Sequence, residues 1–117
     1  MIRADVPVQM ANFDRSGPGL SMPVADMKVG DWVWAQHETS MEWGAFRVSD
    51  ITFSDQPVLH AKGYPRATAN HCFWRAGDWI EMSSLGEPDG VARVAKITVE
   101  RAHTYVSSNV LSHDAKP

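Results

Sequence analysis

The chain has 117 residues and a mass of 13.0 kDa, a length that fits one globular domain with one hydrophobic core. A formal net charge of -3 and a pI of about 5.9 provide no basic surface for phosphates, which argues against nucleic acid as a partner. The apolar runs are short and the N-terminus lacks a signal-peptide pattern, so we expect neither a membrane span nor secretion. Cys72 is the single cysteine, so we expect a cytoplasmic protein without an internal disulfide or a cysteine-rich zinc site.

The predicted elements are all β-strands. No stretch of a dozen residues keeps apolar positions at helical spacing without meeting Gly, Pro or a β-branched cluster. Short runs rich in Val, Ile, Trp and Thr predict strands at 6–10, 32–36, 45–53, 58–61, 72–74, 79–82, 91–100 and 104–111. Gly and Pro predict a loop at 16–19 and a tight turn between two strands at 87–90.

The sequence contains an internal repeat. Residues 28–33 (KVGDWV) are echoed by 75–80 (RAGDWI), and residues 44–53 are echoed by 90–99 with five of ten positions identical. Each unit is predicted to be a hairpin whose first strand follows a Gly-Asp turn, because Gly tolerates positive φ and the carboxylate accepts local backbone N–H groups. We therefore expect a pseudo-twofold β-fold in which Trp32 and Trp79 are core anchors.

Three of the five histidines stand near other residues that can carry chemistry. Thr68 precedes His71 by three positions, and His103 and His113 lie close to the end of the chain. A zinc site built from these histidines and Cys72 is disfavoured, because the adjacent His71 and Cys72 point to opposite sides of a strand. Cys72 as a nucleophile is equally disfavoured, because lone cysteines are commonly inert small residues. We predict no metal and no cofactor.

These motifs, taken with both chain ends, resemble the Hint fold of inteins, the self-splicing protein elements. Residues 1–11 look like the intein start, 23–33 resemble the segment leading into the next strand, Thr68-Ala69-Asn70-His71 matches the family's Thr-x-x-His motif, and 103–106 with 110–113 resemble its C-terminal blocks. The family's fold is itself a duplicated pseudo-twofold β-structure, in agreement with the repeat. The resemblance implies a monomeric mini-intein or bacterial intein-like domain at 1–114, with 115–117 as a remnant of its flanking segments, the exteins.

The resemblance also implies a role for each motif residue in protein splicing. In the family the first residue attacks the carbonyl before it, while the Thr-x-x-His pair, here Thr68 and His71, binds the scissile amide and protonates the departing nitrogen. The acyl chain then passes to a nucleophile just after the domain, and a terminal Asn cyclises to cut the second junction. His113 would polarise that carbonyl, and His103 would help to activate the terminal side chain.

Three junction positions depart from the family's pattern. Met1 stands in place of the first nucleophile, and its thioether has no proton to lose. Asp114 stands in place of the terminal Asn, and Ala115 offers no acceptor hydroxyl or thiol. Lys96 also occupies a position where family members often carry an acid. We therefore expect an autocatalytic cleavage element that is inactive or strongly impaired in this form.

The alternative function is a non-enzymatic binding module with an SH3-like small β-barrel, whose tryptophans serve packing and partner contact. One structural expectation separates the two hypotheses. On the barrel hypothesis the motif residues scatter over the surface. On the self-processing hypothesis one cleft must bring together Met1, Thr68, His71, His103, His113 and Asp114.

Overall fold

The computed structural model describes residues 1–114, so Ala115 and the expected remnant 115–117 lie outside the described residues. The strands are β1 (Ile2–Arg3), β2 (Pro7–Ala11), β3 (Pro18–Pro23), β4 (Trp32–Gln36), β5 (Trp43–His60), β6 (Cys72–Arg75), β7 (Asp78–Glu81), β8 (Glu87–Val99), β9 (Thr104–Ser107) and β10 (Val110–His113). Single 3-10 turns lie at Val24–Asp26 and Met82–Ser84. The all-β prediction is confirmed, and this part of the chain contains no helix able to cross a membrane.

The strands hydrogen-bond in the order β1-β8-β5-β4-β2-β9-β10-β6-β7, with β3 beside β2. The long antiparallel pair β5 and β8 lies next to β1 at one end of this order, and its register places Ile51 directly opposite Ile97. These two isoleucines occupy equivalent positions of the sequence repeat. Two equivalent residues that face each other across an antiparallel ladder lie on a local twofold axis, so the repeat is expressed as a pseudo-twofold arrangement of β5 and β8.

The first halves of the repeat differ in their pairing. β4 forms a hairpin with β5, whereas β7 pairs with β6 across a turn that contains Ala76 at φ 49° and Gly77 at φ 86°. Two adjacent left-handed residues are typical of the turns that match the twist of a tight hairpin. Trp32 and Trp79 are half-buried, which corrects their expected place as core anchors. Trp32 lies under the guanidinium of Arg15, and the ring of Trp79 packs beside β10.

The segment Glu87–Gly90 is the start of β8 and not the predicted tight turn. The ladder pairs Pro57 with Val91 but Leu59 with Pro88, so β8 carries one extra residue between these two pairs. Gly90 lies there at φ 77°, the left-handed conformation of the glycine in a G1-type β-bulge. The Pro and Gly that indicate a turn in the sequence therefore serve a bulge inside a long strand.

The hydrophobic core fixes the first residues of the chain. Ile2 is fully buried, pairs with Ala95 of β8 and forms a bridge with Ala67. The adjacent Arg3 donates its backbone N–H to the carbonyl of Arg66. Because Ile2 is anchored in this way, residue 1 is held beside the segment that begins at residue 68.

Candidate active site

The N-terminal group consists of Met1, Thr68 and His71. The Met1 amino nitrogen donates to Thr68 Oγ1 at 3.0 Å and lies 3.0 Å from His71 Nδ1. The backbone N–H of Thr68 donates to the Met1 carbonyl at 2.9 Å. A turn closed by the His71 N–H on the Thr68 carbonyl brings both side chains to the same side of the chain. Residue 1 is thus hydrogen-bonded at both its nitrogen and its carbonyl oxygen.

Burial dominates the electrostatics of this group. The His71 ring is buried edge-on against Phe73, with ring centroids 4.7 Å apart, and its Nε2 has no hydrogen-bond partner among the described residues. Burial, helped by the Met1 ammonium and His113, lowers the pKa of His71 well below its usual value. Burial likewise lowers the pKa of the Met1 amine to about 5, with a smaller contribution from the Lys96 charge and an opposing one from Cys72. Both groups are therefore neutral at pH 7.

The C-terminal group begins with His103 and Asp114. The carboxylate of Asp114 is almost fully buried, accepts the backbone N–H of Val99 at 2.9 Å and lies 3.1 Å from His103 Nδ1. The Asp114 N–H donates to the His103 carbonyl at 2.9 Å. His103 itself adopts φ 55° in the turn that follows β8. These bonds fix both the side chain and the backbone of residue 114.

His113 completes the C-terminal group. Its Nδ1 lies 2.7 Å from the Asp114 carbonyl oxygen, and its Nε2 lies 2.6 Å from Glu38 Oε2. Because a carbonyl oxygen can only accept, Nδ1 is the donor in the first of these bonds. The Trp79 ring meets the imidazole edge-on, with centroids 4.9 Å apart. The carbonyl of residue 114 therefore faces a preorganised N–H donor.

The two groups adjoin through β6 and β10. Ser112, which precedes His113, pairs with Phe73, which follows His71 by two positions. The buried Tyr105 ring lies 6.2 Å from the His71 ring, and burial, together with the Asp114 charge, raises the pKa of its hydroxyl. The six motif residues expected to meet therefore form two groups, one around Met1 and one around Asp114, which adjoin through the pairing of β6 with β10.

Sequence reasoning missed two side chains of this site. Glu38 lies in the β4–β5 loop, 75 residues from its partner His113, and nothing in its local sequence marks it. Trp79 was predicted for the core and instead packs on His113. Cys72 lies beside the site as a half-exposed thiol, and burial and Glu81 raise its pKa. Within residues 1–114 no three His, Cys, Asp or Glu side chains form a group that could hold a metal ion.

The fold is that of solved inteins. The chain is similar to a DnaB intein from Synechocystis sp. PCC 6803, with a TM-score of 0.81 and 20% identity over 98% of both chains. It is also similar to a bacterial intein-like domain from Clostridium thermocellum, with a TM-score of 0.69 and 18% identity over 97% of this chain and 99% of that one. The gp41-1 intein matches with a TM-score of 0.72 and 14% identity over 97% of each chain. No family model and no curated protein matches the sequence.

These likenesses confirm the fold predicted from the sequence motifs. The chain has the Hint fold of inteins, formed by one compact sheet, and the similarity to the solved inteins extends over nearly the whole chain.

Proposed function

We propose that this chain, built on the intein fold, is a self-processing domain for protein splicing whose junctions lie at Met1 and Asp114 and are arrested in this form. The observation that carries the proposal is that residues 1 and 114 are each held by a histidine and by backbone hydrogen bonds, in adjoining groups. We further propose that it acts as a cytoplasmic monomer on its own flanking segments, with residues 115–117 as part of the C-terminal one.

At the first junction the Met1 nitrogen would be the nitrogen of the scissile amide. Thr68 Oγ1 and the Thr68 N–H contact residue 1 on its two sides, so the amide would be held in a fixed orientation. His71 Nδ1 lies 3.0 Å from the nitrogen that must gain a proton when the bond breaks. Because the low pKa of His71 leaves its ring neutral at pH 7, it would first take the proton of the attacking thiol or hydroxyl and then deliver that proton to the departing nitrogen. A Cys or Ser at residue 1 would supply the attacking atom.

At the second junction the side chain of residue 114 would attack its own carbonyl carbon. Negative charge then develops on the carbonyl oxygen, where His113 Nδ1–H already stands at 2.7 Å. With Asn at this position the amide nitrogen closes a succinimide and releases the following segment. His103 contacts the attacking side chain, which it would orient and relieve of a proton.

Three residues explain the arrest. The Met1 thioether cannot form the thioester that an intein needs, and Ala115 has no atom able to accept the acyl chain. The Asp114 carboxylate would have to pass through an anhydride, a much poorer route than succinimide formation. The SH3-like binding module is not favoured, because that hypothesis gives no reason for His71 to contact Met1 and His113 to contact Asp114 in two adjoining groups.

Restoring the junctions tests the proposal. Met1→Cys, Asp114→Asn and Ala115→Cys are introduced together, the domain is placed between two reporter proteins, and the products are resolved by mass spectrometry. We expect ligated reporters and a freed domain. After His71→Ala the splicing rate is expected to fall by at least about 100-fold. His60→Ala, an exposed histidine on β5, is the matched control and leaves the rate unchanged. An intact fusion around a folded domain, or equal rates with and without His71, would overturn the proposal.

A further inference from the structure

The segment that carries Glu38 is held at the C-terminal junction by two hydrogen bonds to the backbone carbonyls of Ala102 and Gln36. The N–H of Glu38 donates to the carbonyl of Ala102 at 3.0 Å, and the hydroxyl of Thr104 donates to the carbonyl of Gln36. These links tie the end of β4 to the residues on either side of His103. Because Thr104 pairs with His113 in the β9–β10 ladder, the loop that carries Glu38 is placed over the His113 ring. The position of Glu38 is therefore set by the sheet and not by its side chain alone.

The contact between the two side chains is short and largely shielded from water. His113 Nε2 and Glu38 Oε2 are 2.6 Å apart, and the two side chains are only 13% and 16% exposed. A charge-assisted hydrogen bond in such a place is stronger than one at an open surface. The imidazole is thereby fixed between Glu38 on one nitrogen and the Asp114 carbonyl on the other.

We infer that Glu38 is a positioning residue for cleavage at the C-terminal junction, acting through His113. The inference rests on the proposed function and adds a residue to its second step. By accepting the Nε2–H bond, the carboxylate holds Nδ1–H toward the residue 114 carbonyl. An N–H donor that is held in this direction before the reaction stabilises the developing oxyanion without reorganisation. A carboxylate that orients a histidine in this way acts without touching the reacting atoms.

Other charged and titratable groups also face His113. The Asp114 carboxylate approaches Nδ1 to 3.9 Å, and His71 from the turn before β6 is close enough to feel the His113 charge. β7 contributes the uncharged Trp79 ring. When Asp114 is replaced by Asn, Glu38 remains as the carboxylate in direct contact with the ring, so its effect is read without competition from residue 114.

The first test uses the chain as it exists and requires no cleavage. Nitrogen NMR of the histidine rings is recorded for the unchanged chain, for Glu38→Gln and for Glu42→Gln, an exposed acid of the same loop. We expect Glu38→Gln to change the His113 ring signals and to lose its hydrogen-bonded Nε2–H, while Glu42→Gln leaves both unchanged. Backbone spectra verify that each variant is folded. Identical His113 signals in all three proteins would overturn the inference.

The second test measures cleavage. Asp114→Asn is fused to a C-terminal reporter, and release is followed with and without Glu38→Gln. We expect Glu38→Gln to slow release about 10-fold to 100-fold, with partial recovery in Glu38→Asp. Equal rates with and without the Glu38→Gln substitution would overturn the inference. Absence of release when Glu38 is intact would instead count against the proposed function, while the NMR comparison still decides the role of Glu38.

Discussion

The carboxylate of Asp114 accepts the backbone N–H of Val99 at 2.9 Å, a bond between the end of the described chain and the last residue of β8. Val99 is fully buried, so no water can replace this acceptor. Residue 114 is therefore part of the folded structure as well as of the proposed junction. The bond to Val99 predicts an effect of the Asp114 side chain on stability, which can be measured apart from any effect on cleavage.

We expect Asp114→Ala to lower the free energy of unfolding by about 2 kcal/mol, because the Val99 N–H is left buried and unpaired. Asp114→Asn retains an oxygen that can accept this N–H, so its loss is expected to stay below about 1 kcal/mol. Urea unfolding of the three proteins measures the difference. Equal stability of the Ala and Asn variants would show that the bond to Val99 contributes nothing.

Stability is expected to fall as pH is lowered. The unfolded chain protonates its amine below pH 8.0, but the folded chain does so only near pH 5, because burial disfavours the charge. Burial lowers the pKa of His71 in the same way, so below pH 6.5 the unfolded chain protonates this histidine before the folded chain does. The unfolded state thus binds more protons over this range, and stability present above pH 8 is lost progressively toward pH 5.

Urea midpoints between pH 5 and 9 check this dependence. A residue added before Met1 converts the amine into an amide, so the loss between pH 8 and 6.5 is expected to disappear while the loss below 6.5 remains. In the extended chain, which lacks the Met1 amine, His71→Phe is expected to remove the remaining loss below 6.5 as well. Midpoints that do not change with pH in the unextended chain would contradict the burial of these two groups.

The Thr68 hydroxyl is expected to act on the first junction alone. With cysteine at position 1 and an N-terminal reporter attached, Thr68→Val is expected to slow release by thiols about 10-fold or more, because one contact to the scissile nitrogen is lost. Release at a second junction that carries Asp114→Asn is expected to keep its rate. Thr52→Val, an exposed threonine on β5, serves as the control. Equal slowing at both junctions would indicate general damage to the fold.

The bulge at the start of β8 makes a separate prediction. Gly90 has φ 77° and no atom within 4 Å of an added Cβ, so Gly90→Ala is expected to cost about 1–2 kcal/mol through backbone strain alone. In Gly17→Ala the new Cβ makes an ordinary contact with Asn12, and the cost is expected to stay below about 0.5 kcal/mol. Chemical denaturation compares the two variants, and equal costs would argue against the left-handed bulge.

Local pattern was sufficient for much of the fold. Val, Ile and Trp runs predicted β4 with its observed bounds and most of β2, β5, β6, β7 and β8, because side-chain alternation and β-branching act over a few residues. The predicted strand at 104–111 is divided into β9 and β10 by Ser108 and Asn109, which form a tight turn at positive φ without glycine. The short strands β1 and β3 were missed, since each depends on the partner that it pairs with.

The sequence by itself determined the strand-rich class and the repeat, because these follow from residue types and spacing, and its resemblance to inteins indicated Thr68, His71, His103 and His113 as candidate site residues. Tertiary structure alone decided which groups touch. The bond from Asp114 to Val99, the facing isoleucines of β5 and β8, and Glu38 on His113 join residues far apart in the chain. Such contacts arise when long strands select their partners and register through burial of their apolar faces, a choice that no local stretch of sequence contains.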